Sequence, residues 1–115
     1  MDFAIHISRF LAGLPDSQVA RMVSGQLLRS SSSVGANYRA AQRSKSTRDF
    51  INKLKIVEEE SDESLYWLMY LEQNNIGNKT ILTPLIVEAN ELVAIFVTSI
   101  NTAKANLAKE PQSRK

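Results

Sequence analysis

From one end of the chain to the other, apolar residues recur three and four positions apart, and no segment shows the strict alternation of a strand. That single period restricts the chain to helices packed on helices. Glycine and proline are few, four and three, and the breaks they make at Gly13 to Pro15 and at Gly77 divide the period into segments. The spacing predicts a first helix from Asp2 to Ala12, stopped by Gly13-Leu14-Pro15, with Asp16 or Ser17 placed to cap a second from about Ser17 to Arg43. Ser46-Thr47-Arg48-Asp49 has the form of a capping box, with Asp49 in the acidic role, and opens a third helix that closes near Asn74 before Gly77. A fourth begins near Thr80, or at Pro84 with Thr83 as its cap, and frays beyond about Asn106. Short connections make consecutive helices antiparallel, so the expected fold is all-α, an antiparallel up-down-up-down four-helix bundle. Residues 1–107 form it, and residues 108–115 are a polar C-terminal tail.

With 115 residues the chain can bury one core but not two. There is no cysteine, and His6 is the one histidine, so a metal site would need carboxylates almost alone. His6 itself reads as a partly buried helix residue. No P-loop or GxGxxG is present, and Ser30 to Ser33 lack the G-x-S-x-G setting of an exposed nucleophile. The acids Glu58, Glu59, Glu60, Asp62 and Glu63 radiate around a helix and do not converge on a metal. The expectation is therefore no enzyme and no cofactor. No window approaches the ~20 apolar residues of a membrane span, and the N-terminus has no basic leader. A cytoplasmic protein without a membrane partner is expected.

Net charge is only +2, but its distribution is uneven. The run from Gln26 to Asp49 carries Arg29, Arg39, Arg43, Lys45 and Arg48 against one acid, whereas Glu58 to Glu72 holds six acids and no base. Ser30 to Ser33, Val34 and Gly35 are poor helix formers, and a loop would be the alternative there. At 100° per residue, however, Val19, Val23, Leu27, Ser30, Val34, Asn37 and Ala41 share one arc of roughly 80°, so a continuous helix with small inward residues is preferred. An inward Asn37 would need hydrogen-bond partners.

On the same wheel Arg21, Arg29, Arg39 and Arg43 occupy a second arc of about 80°, nearly opposite the first. A row of guanidinium forks along a rod suits a polyanion. Few acids stand four residues away to neutralise them, so Arg21, Arg29, Arg39, Arg43, Lys45 and Arg48 are the candidate nucleic-acid-binding residues. Lys53 has Asp49 four residues before it, and Lys55 has Glu58 three after, which makes both weaker candidates.

On the third helix Phe50, Leu54, Val57, Ser61, Ser64, Leu65, Leu68 and Leu71 form the inward stripe. Ile56, Tyr66, Trp67 and Tyr70 lie off it, and Leu28 projects from the basic side of the second helix. Aromatics on an outer face are typical of subunit contacts, so Leu28, Ile56, Glu63, Tyr66, Trp67 and Tyr70 are candidate oligomer-interface residues. Two functions follow from these faces. One is a non-enzymatic homo-oligomer whose arginines hold RNA or DNA phosphates; the other is a protein–protein scaffold whose arginines pair with Glu59 or Glu63 of a neighbouring subunit.

The order Gln26-Leu27-Leu28-Arg29-Ser30, Ser33-Val34-Gly35-Ala36-Asn37, Ala40-Ala41-Gln42, Asp49-Phe50-Ile51, Lys53-Leu54, Glu63 and Tyr66-Trp67-Leu68 resembles a bacterial four-helix-bundle family. The family is named for open reading frames inside intervening sequences of 23S ribosomal RNA genes, and it includes the accessory variability protein of diversity-generating retroelements. The likeness runs from Phe3 to about Leu107. It implies a four-helix bundle assembled as a homopentameric ring with no known enzymatic activity. For the retroelement branch it also implies strong positive charge, nucleic-acid binding and a reverse transcriptase partner. The present chain departs from that branch in its small net charge and in the acids from Glu58 to Glu63.

Overall fold

Three of the four helices begin at a side chain that accepts from a free amide of the first turn, as the sequence requires. The computed structural model describes residues 2–111 and contains α1 (Asp2–Ala12), α2 (Gln18–Gln42), α3 (Thr47–Gln73) and α4 (Lys79–Lys109). Ser17 accepts from the Ala20 amide, Ser46 from Asp49 and Asn78 from Thr80. Asn78 thus starts α4 more than a turn before Pro84, which lies inside the helix rather than at its start. Pro84 cannot donate to the carbonyl four residues back. That one lost bond is tolerated because α4 is fixed by packing on either side of it. At the other end α4 stays helical to Lys109, past the expected fraying point near Asn106, and Thr47 Oγ1 donates to Glu110 Oε2 across 2.7 Å. Residues 112–115 of the expected tail lie outside the described residues.

The α3 terminus is a Schellman motif centred on Asn75, not Gly77. Asn75 has φ 54°, the Asn75 amide donates to Glu72 O and the Ile76 amide to Leu71 O. Gly77, at φ 97°, then turns the chain against Phe10, where an added Cβ would lie 2.8 Å from the ring. Glycine is required there twice over, by conformation and by space.

α2 runs unbroken through the serines. It packs on α1 and α3, α4 also packs on α1 and α3, and α2 and α4 stand across the diagonal. Ser33 reaches Glu60 while Arg29 reaches Glu63, so α2 and α3 are antiparallel. His6 meets Glu88 and Phe3 lies with Leu92 and Phe96, so α1 and α4 are antiparallel too. The short connections 13–17, 43–46 and 74–78 reverse the chain each time as well, so the bundle is up-down-up-down, drawn out to 59 × 19 × 18 Å.

Two cores lie along this rod. At the α1 end all four helices contribute, with Phe3, Ile7, Phe10, Val23, Leu27, Leu68, Leu71, Leu82 and Leu85. Beyond α1 only three helices remain, closed by Val34, Ala41, Ile51, Leu54, Val57, Phe96 and Ile100. Buried Ser30, Ser31, Ser61 and Ser64 lie on α2 and α3 at the level where one core gives way to the other. Ser64 donates to Glu60 O at 2.9 Å and so accepts from Ser30 Oγ at 2.8 Å, while Ser61 donates to Val57 O. Every polar atom in this layer that is bonded needs only small side chains, which lets α2 and α3 approach closely.

The inward stripes are wider than one helix wheel drew them. Ala20, Ser31 and Ile51 are buried, whereas Val19, Phe50 and Leu65 are only half-buried. Each long helix meets two neighbours, so its buried face is broader than a stripe facing one. Asn37 is half-buried and donates to Ser33 O and Oγ on its own helix instead of crossing the core.

α4 also corrects the expectation about apolar length. It carries an 18-residue window apolar enough, by length and composition, to cross a membrane, and only 22% of that window is buried in the bundle. Its inner side packs on α3 and α1, and much of its outer side is apolar and uncovered.

Candidate nucleic-acid interface

The turn between α2 and α3 gathers most of the cations. The Arg43 amide donates to Ala40 O and the Ser44 amide to Ala41 O, Ser44 Oγ donates back to Ala41 O, and Ser46 opens α3 two residues later. This tight connection leaves Arg39, Arg43, Lys45 and Arg48 exposed at one end of the rod. Among the described residues none of the four forms an ion pair. Arg39, Arg43 and Lys45 line a shallow recess together with Ala36, Ala40, Asp49 and Lys53. Lys53 Nζ donates to both Asp49 oxygens at 2.7 and 2.8 Å, the pair expected from their spacing. Lys53, helped by the Lys45 charge and backbone, holds the Asp49 carboxyl below the usual carboxylate range.

The other two candidate arginines are engaged elsewhere. Arg21 pairs with Asp16, a contact between two well-exposed groups that is worth little. Arg29 pairs with Glu63 and, at 3.1 and 3.2 Å, with Glu60, both on α3. Those hydrogen bonds, from Glu63 first, raise the Arg29 pKa further, and the guanidinium holds the Glu63 carboxyl down. The row of four arginines seen on one helix is thus divided: α3 supplies acids that no position on α2 could reveal. Arg29 and Glu63 thus satisfy each other within one chain.

Among the interface candidates, Leu28, Ile56 and Tyr66 are exposed, Tyr66 to 56%. Trp67 and Tyr70 are not free outer residues. Both are half-buried against the four-helix core, and Trp67 donates its indole N–H to Glu63. Tyr66 stacks edge-on against Trp67 at 4.9 Å. His6, expected to be partly buried, is exposed, and its Nδ1 lies 3.1 Å from Glu88.

One surface went unread in the sequence. On α4 the exposed Val87, Asn90, Ala94, Val97 and Asn101 follow a 3-4-3-4 spacing on the side away from the core. Aliphatic groups and two amides share this stripe, and none of its members is charged. The signal was present in its period, offset from the inward stripe through Leu82, Leu85, Ala89 and Phe96. It was hidden because the two asparagines interrupt its apolar character and because both stripes lie on one very apolar helix.

The family model for 23S rRNA-intervening sequence proteins matches residues 1–98. The chain belongs to this family. Its matched part contains α1 to α3, the basic turn and most of α4. The fold is also that of a crystal structure of a protein of unknown function from the S23 ribosomal protein family of Bacteroides thetaiotaomicron VPI-5482. The two share 32% identity and a TM-score of 0.78, over 86% of this chain and 92% of that one. A search of curated proteins gives no match. The solved neighbour thus shares the four-helix fold, and its function is itself unknown.

Proposed function

We propose that the chain is a non-enzymatic, self-associating protein that holds nucleic-acid phosphates through Arg39, Arg43, Lys45 and Arg48 without reading base sequence. The observation that carries this reading is the division of the arginines. None of the four cations at the α2–α3 turn forms an ion pair among the described residues, while Arg21 and Arg29 do. Unpaired, exposed cations grouped at one end present a local positive field even though the net charge is only +2. Self-association is supported by the uncovered, uncharged outer face of α4, where Val87 is 52% and Val97 43% exposed. Its heptad-like spacing, with Asn90 and Asn101 at seam positions, is that of helices that pair in a fixed register.

Titration of salt against a structured RNA tests the phosphate contacts. Log affinity is expected to fall with log salt by roughly 0.7 to 0.9 for each phosphate neutralised. An Arg39→Gln/Arg43→Gln variant should lose between one and two of those increments and remain assembled in sedimentation. If that variant instead falls apart into monomers, the arginines join subunits and the scaffold reading replaces this one. Absence of RNA binding at low salt sinks the phosphate reading outright.

A further inference from the structure

The recess at the α2–α3 turn has a shape and a boundary that a uniform basic face would lack. Ala36 and Ala40 offer only methyl groups between Arg39 and Arg43, which stand one helical turn apart, about 6 Å along the axis. Lys45 closes the recess from the turn, and Lys53, fixed by Asp49, closes it from α3. Four cations and one carboxylate leave a local charge of +3. Followed away from the turn, the same α2–α3 groove changes sign: Ser33 donates to Glu60, and Glu60 and Glu63 share the single cation Arg29. A strand laid along this groove would leave the cations and meet carboxylates.

Resting on the phosphate reading above, we infer that this recess receives a terminal phosphate monoester, the end of a nucleic-acid strand, in preference to the phosphodiesters within it. A monoester, with its second ionisation near pH 6, carries close to two negative charges at neutral pH and presents three acceptor oxygens. An internal diester carries one charge and brings a neighbour on each side. Two guanidinium forks and an ammonium lining one small recess match the first and are underused by the second. The acidic stretch beyond the recess excludes continuation along the groove, and an end requires none.

The test uses the full chain and one 12-nucleotide RNA sequence, labelled on an internal base and carrying a 5′-phosphate, a 3′-phosphate or neither. In fluorescence anisotropy at about 0.1 M salt and pH 7.5, at least one phosphorylated form should bind about tenfold tighter than the unphosphorylated form. Arg39→Gln/Arg43→Gln should abolish that advantage with an unchanged melting temperature. Should the double variant melt early, Lys45→Gln, in the exposed turn, carries the same comparison. Equal binding of all three RNAs overturns terminal recognition while leaving backbone contact standing. No binding of any of them removes the phosphate reading as well.

Discussion

Arg29 shows how a side chain's role is decided by a neighbour that sequence distance conceals. Glu60 and Glu63 are more than thirty positions away, yet they take both ends of its guanidinium. The pair is part-exposed, 49% for Arg29 and 36% for Glu63, so solvent screens it and its contribution is modest, about 0.5–1 kcal/mol. Its pH dependence has a definite sign. Because Arg29, and then the Trp67 indole, hold the Glu63 carboxyl below its ordinary value, the stabilisation is complete above the unfolded pKa of about 4.3 and disappears as pH falls through the lower folded value. Glu63→Gln should therefore melt below the parent protein at pH 6 and together with it near pH 2, as read by thermal melts across that range. A constant difference at every pH would show that the loss is one of packing against Trp67. The Asp49–Lys53 pair, by contrast, was legible in the sequence, since an i, i+4 pair needs only the helix itself.

The continuity of α2 is the element-scale result on which the rest depends. Serines and a glycine weaken a helix in isolation, but here Ser30 and Ser64 meet at 2.8 Å in a fully buried layer, and small side chains are what that contact requires. Ser30→Leu should cost about 1–3 kcal/mol through overpacking, whereas Ser30→Ala should cost about 1 kcal/mol for the lost hydrogen bond. Urea unfolding of the two variants gives the comparison; a stabilised leucine variant would mean that the layer is loosely packed. The inward stripe that revealed this helix followed from the 3.6-residue period. Its width did not, because the number of neighbours each helix has is a property of the bundle. Pro84 makes the same point from the other side: local rules place proline at a helix start, and α4 begins earlier because Asn78 supplies the cap.

At the scale of the whole molecule, the rod has two uncovered features, a basic end and an uncharged outer face on α4. If that face joins subunits, Val97→Glu should convert the assembly to monomers in sedimentation velocity at tens of micromolar without lowering the helical content. A parent protein that is already monomeric there would exclude the α4 seam. The same variant should keep its RNA contacts at the turn, since Val97 lies outside the recess that Arg39, Arg43 and Lys45 line, though avidity from repeated sites would fall with the assembly. The sequence by itself determined the four helices, the Ser46 cap, the central inward stripe and the Asp49–Lys53 pair, because each depends on residues within about one or two turns. Tertiary structure alone decided which end of the rod α1 covers, that Trp67 and Tyr70 lean on the core, and that α4 keeps an open face. It alone separated Arg39 and Arg43 from Arg29. These outcomes depend on the register between helices, which is fixed by packing among residues far apart in the chain.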